Sequence, residues 1–134
     1  MPTELVEAAA RARENAVAFF TGFKVGAALR THDDRIYTGC NIENASLGLT
    51  VCAERVALWK ALSEGHHQFK EIAVVSDAED PATPCGACRQ LLWEYCGDIP
   101  VLLYSLRGVE RTVSLAELLP QPFDRSYLST GKSD

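Results

Sequence analysis

Two short segments decide how this chain is read: Gly39–Arg55, GCNIENASLGLTVCAER, and Pro84–Gln90, PCGACRQ. Cys85 and Cys88 stand three residues apart where a helix begins after Pro84, so their sulfurs share one helical face. Cys52, about thirty residues earlier, falls at the start of a second predicted helix. Helix N-termini favour negative charge and lower thiol pKa values, which places all three sulfurs to be thiolates. Three thiolates leave one tetrahedral position around zinc for water, the arrangement of a catalytic site; a structural site is normally closed by a fourth ligand. Glu54, two residues after Cys52, is the carboxylate that this motif positions to move protons. Without the cysteines it would read as an exposed first-turn carboxylate favoured by the helix dipole.

Working outward, the pattern predicts alternating helices and strands. Residues 4–20 read as a helix capped by Thr3 and ended by Gly22. Residues 24–31 read as a strand with Val25, Ala27 and Leu29 on one face, while Gly26 and Ala28 admit close packing on the other. His32-Asp33-Asp34 turns the chain into a hairpin partner, Arg35 to Cys40. A loop over 41–50 leads to a helix over 52–64 closed by Gly65, then to a strand over 70–76. A helix from Pro84 to about Cys96, strands over 100–104 and 109–113, and a short helix from Ser114 through Leu118 complete the order. Strands separated by helices imply right-handed crossovers and a partly parallel sheet covered on both faces, an α/β fold. The expected organisation is one domain over 1–128 with a polar, flexible tail over 129–134.

Composition narrows the function. The 134 residues are 47% hydrophobic and 23% charged, as in globular domains. Lys and Arg number 13 against 18 Asp and Glu, a net charge of −5 that argues against a polynucleotide partner. No apolar run approaches the roughly 20 residues that span a bilayer, so no membrane partner is expected. The N-terminus has no secretory pattern, so the expected location is the cytoplasm, where thiols stay reduced. The five cysteines then read as metal ligands or buried thiols. Cys40, Cys96, Trp59 and Trp93 read as core residues and His66-His67 as a surface turn.

Gly39–Arg55 and Pro84–Gln90 resemble the cytidine deaminase family of the small homotetrameric type, and the resemblance runs from about Phe20 to Phe123. It implies a three-layer α/β/α fold around a mixed five-stranded sheet, and one zinc per chain on Cys52, Cys85 and Cys88. It also implies hydrolytic deamination of free cytidine or 2′-deoxycytidine in pyrimidine salvage, with Glu54 as the proton carrier and active sites shared within a homotetramer. Three thiolates and one Zn²⁺ carry a net negative charge. Arg55, three residues after Cys52 on the same helical face, is placed to compensate it by donating to the thiolates. A solvated arginine is the competing reading there. Arg89 and Gln90 are candidates to support the metal ligands in the same way, with solvated surface side chains as the alternative.

Asn41 and Glu43 lie two apart just after a strand, so both side chains can point the same way. An amide and a carboxylate suit ribose hydroxyls, and the matching family residues hold the 3′-hydroxyl. The charge of Glu43 favours a free nucleoside over a nucleotide; an Asx turn with a solvated Glu is the alternative. By the resemblance, Phe23 forms an apolar wall for the pyrimidine, Ala53 contacts substrate, and Phe123 stacks on the base in a neighbouring subunit's site. Core packing competes for both phenylalanines. Phe20 and Leu47 stand where the family commonly has tyrosine, which leaves the substrate range open. The rival enzyme is a deaminase for another aminopyrimidine nucleoside or a blasticidin-type antibiotic; the rival outside catalysis is a structural zinc-binding module.

Overall fold

Strand β1 (Val25–Thr31) pairs antiparallel with β2 (Ile36–Cys40) on one side and with β3 (Phe69–Ser76) on the other. The computed structural model that shows this describes residues 3–128. Helix α3 (Gly86–Cys96) then carries the chain to β4 (Pro100–Ser105), which lies parallel to β3, and β5 (Glu110–Ser114) returns antiparallel to β4. The sheet is therefore mixed and five-stranded, in the order β2-β1-β3-β4-β5. The 129–134 tail expected from the sequence lies outside the described residues.

The alternation along the strands sends apolar side chains to two separate layers. On one face α1 (Glu4–Arg13) buries Leu5, Val6, Ala8 and Ala9 against Ala28, Ala73 and Val75. On the other, α2 (Ala53–Ser63) and α3 pack over Ala27, Leu29, Ile72, Val74, Val101 and Leu103. The result is the expected α/β/α sandwich. Among the described residues no helix is long and apolar enough to cross a membrane.

Two glycines set how closely the helices approach. A Cβ on Gly26 would collide with the Ala9 carbonyl oxygen and the Arg13 nitrogen of α1. One on Gly39 would run into the Ala53 carbonyl oxygen and the Ala57 nitrogen of α2. Backbone thus meets backbone on both faces, and α2 is pressed directly onto β2.

Helix boundaries depart from expectation at α3, which begins at Gly86 and not at Pro84, and more widely at α1. Thr3 does cap α1, accepting from Val6 N at 3.3 Å, but the helix stops at Arg13 and does not continue to residue 20. Its buried stripe has already been satisfied by the sheet. Beyond it, Val17 forms a bridge to Ile42, and Glu43 N donates to Val17 O at 2.8 Å, so these backbone groups find partners outside a helix. Phe19 and Phe20 are left exposed. Trp59, expected in the core, is 42% exposed and meets Tyr95 edge to face. Ser114 caps α4 (Leu115–Leu118) through a full capping box with Glu117.

Because Gly26 has no room for a methyl group, Gly26→Ala is expected to cost about 1–3 kcal/mol of folding free energy. Denaturant unfolding checks this; an unchanged midpoint would mean that α1 can shift without penalty.

Candidate active site

The register places Val25 opposite Ser76 and Gly26 opposite Cys40, so β1 begins where β2 and β3 end. At this end of the sheet α2 and α3 both start, consistent with ligand sites lying beyond the carboxyl ends of strands. Cys52 is the N-cap residue of α2 and Cys85 that of α3. Neither side chain caps its own helix, and their sulfurs turn to each other at 3.7 Å. Cys88, in the first turn of α3, completes a cluster whose three Sγ atoms lie within 4.8 Å of one another. A tetrahedral site with Zn–S bonds of about 2.3 Å has sulfur–sulfur edges of about 3.8 Å. The cluster has the dimensions of such a site.

Its electrostatics point the same way. The Cys88 thiol hydrogen-bonds Cys52 and pulls its pKa down to about 6, with Cys85 and the Arg55 charge helping and burial opposing. Cys88, donating to that sulfur in a buried setting, is pushed strongly up. One negative charge is comfortable here and three are not, unless a cation joins them. Soft thiolate donors at this spacing fit zinc. Cys40 and Cys96 stand apart from the cluster and, although expected in the core, are only partly buried; desolvation still pushes both thiols up, Cys96 to about 12.

Glu54 sits in the first turn of α2 and is only 5% exposed. Burial is the main force raising its carboxyl to about 7, against its own backbone N–H and with the Cys52 charge adding to the rise. Arg55 is brought beside Cys52 as expected, close enough for its charge to act there. Its Nε, however, is buried without a hydrogen-bond partner among the described residues, so the expected donation to a thiolate is not made by that atom.

A cleft of about 200 Å³ runs down to Cys52, Glu54 and Cys85, with Phe23, Val25 and Val74 as an apolar wall. Asn41 and Ala53 also line it. Asn41 is engaged with the wall itself: Oδ1 accepts from Val25 N and Nδ2 donates to Phe23 O, each at 2.8 Å. Glu43 grips the same loop. Its Oε1 accepts from Phe20 N at 2.8 Å and Thr21 N at 3.1 Å, and the Thr21 hydroxyl donates to Oε2. That hydroxyl holds Glu43 below the usual carboxylate range, with the backbone donors assisting.

Glu43 and Phe123 do not line this cleft within one chain. Phe123 is 59% exposed and stacks on Tyr127 with ring centroids 5.3 Å apart. Gln90, read from sequence as a support for the metal ligands or a surface residue, and Trp93, read as core, fasten this segment to α3: Gln90 Nε2 donates to Phe123 O at 2.6 Å and Trp93 Nε1 to Asp124 at 2.8 Å. Thr21 and Thr83 escaped sequence reasoning altogether, since nothing in their local pattern separates them from loop hydroxyls.

With this geometry in hand, the comparisons with known proteins converge. The family model described as the cytidine and deoxycytidylate deaminase zinc-binding region matches residues 2–103. A cytidine deaminase of Sporosarcina psychrophila is 47% identical over 127 residues, covering 94% of this chain and 93% of the relative. One from Halalkalibacterium halodurans is 49% identical over 120 residues, covering 89% and 91%. The crystal structure of cytidine deaminase from Burkholderia pseudomallei superposes with a TM-score of 0.86 at 48% identity, covering 91% of this chain and 100% of that one. The sulfur cluster and the buried glutamate thus stand in a chain that belongs to the cytidine and deoxycytidylate deaminase family.

Proposed function

We propose that this protein is a zinc-dependent hydrolase that converts free cytidine and 2′-deoxycytidine to the corresponding uridines and ammonia. The observation that carries the reading is one buried carboxyl, Glu54, beside a three-sulfur cluster at the floor of an apolar-walled cleft. The chemistry that zinc supplies when held by Cys52, Cys85 and Cys88 is activation of a water molecule near neutral pH. Glu54 takes the proton that water gives up as its oxygen bonds to C4 of the ring. The carboxyl delivers that proton to N3, then takes the proton of the new C4 hydroxyl and carries it to the amino nitrogen, so that the C4–N bond breaks, the C4 carbonyl forms and ammonia leaves. Burial keeps this traffic out of bulk water, and the Arg55 charge offsets the surplus negative charge of the thiolates.

Substrate choice follows from the rim. Phe23 and Ala53 contact the pyrimidine; Asn41 and Glu43 keep unused hydrogen-bonding capacity for the sugar after holding the 20–25 loop. A fixed carboxylate there repels a phosphate. Relatives 47% and 49% identical are cytidine deaminases, which favours the ordinary nucleoside over an antibiotic substrate.

The cleft, at about 200 Å³, falls short of the ~300–1,000 Å³ usual for small-molecule sites. Phe20, Leu47, Leu49 and Phe123 expose apolar surface of the kind that could close it from another copy. The working form is a homotetramer in which Phe123 of one subunit covers the base bound in the next. The single catalytic domain spans 1–128 and acts in cytoplasmic pyrimidine salvage.

Three experiments follow. Glu54→Gln retains zinc and fold but loses roughly 10²–10⁴-fold in kcat, measured by the absorbance change on deamination; a variant keeping a tenth of its activity contradicts the shuttle. Glu43→Ala weakens cytidine far more than free cytosine, and equal losses would remove Glu43 from sugar recognition. Mixing Phe123→Ala with Glu54→Gln subunits restores part of the activity through hybrid tetramers, whereas no recovery, or a fully active monomer by light scattering, contradicts the shared site.

A further inference from the structure

Arg89 follows Cys88 directly, and its side chain is fully committed. Nε donates to Pro84 O at 2.7 Å, one terminal nitrogen to Leu118 O at 2.8 Å, and the other to the Thr83 hydroxyl at 2.6 Å. Two of these acceptors belong to the residues just before Cys85. The same residue's backbone closes on Cys85 as well, Arg89 N donating to Cys85 O at 2.9 Å. Cys85 needs such support, because it is exposed, its backbone is extended, and its side chain caps nothing. The third acceptor, at the end of α4, is part of a segment held further on by Gln90 and Trp93, so the fork is anchored on both sides.

We propose that Arg89 is a positioning residue for the metal centre: it locks residues 83–85 so that the Cys85 sulfur meets those of Cys52 and Cys88, and thereby sets how tightly zinc is held. Deamination needs no group at this place, and a planar fork with three directed donors is what three differently oriented acceptors require. A lysine offers one flexible point charge and cannot reproduce it.

The test is zinc affinity of the purified holoenzyme by competition with a chromophoric chelator. Arg89→Lys is expected to weaken zinc about 10–100-fold, the range typical for partners that orient metal ligands. Cobalt substituted for zinc should show shifted visible bands in the variant, since these report donor geometry and not overall stability. Wild-type zinc affinity in Arg89→Lys, or an unaltered cobalt spectrum, overturns the proposal. If that variant does not fold, Thr83→Val removes a single contact and Thr83→Ser keeps it. Several-fold weaker zinc in the first and wild-type affinity in the second support the assignment. Equal affinities overturn it.

Discussion

Three sulfur atoms within 4.8 Å of one another are the constraint on which the rest depends. Like-charged thiolates repel, so the backbone must force them together and a cation must reward the meeting. The forcing is done by two helix starts converging beyond the same end of the sheet. Gly39 lets α2 lie directly on β2, which fixes where Cys52 and Glu54 point. The β3–α3–β4 crossover brings Cys85 and Cys88 to the same spot from the opposite side of the chain order. The glutamate inherits its position from this arrangement: two residues past Cys52 at the N-cap position of α2, it is carried into the interior next to the cluster.

Around that fixed point the cleft wall is held in place by polar side chains. Asn41 and Glu43 hold the 20–25 loop through its backbone, and Thr21 bridges them by donating to Glu43 and accepting from Phe23 N at 3.0 Å. The sugar recognition proposed for these two residues would therefore share one network with wall placement. A change at either residue is felt by Phe23, so under the proposed function lost activity at these positions would mix positioning with contact.

Much of this was legible in the sequence. Metal-ligand chemistry is written locally: Cys-x-x-Cys after proline, and Cys-x-Glu at a helix start, each specify spacing and charge without tertiary help. Gly26 announced close packing because a missing side chain has few other uses in a strand, whereas the same role of Gly39 became visible only in the structure. The end of α1 was not legible, since alanines and apolar residues run on past Arg13 and only tertiary pairing of Val17 with Ile42 diverts the chain. Trp59 misled for a related reason, as aromatic character does not say which face of a helix it occupies. Arg89 was indistinguishable from a solvated arginine, because its three acceptors come from residues up to 29 positions away and include two backbone carbonyls that no side-chain pattern encodes.

The central claim is that the cluster is an open catalytic site and not a closed structural one. Zinc-edge X-ray absorption on the resting enzyme addresses it directly. The account predicts three sulfur neighbours at about 2.3 Å and one oxygen at about 2.0 Å that is exchanged when a substrate analogue binds. Four sulfurs, or a fourth protein ligand that no analogue displaces, would contradict it.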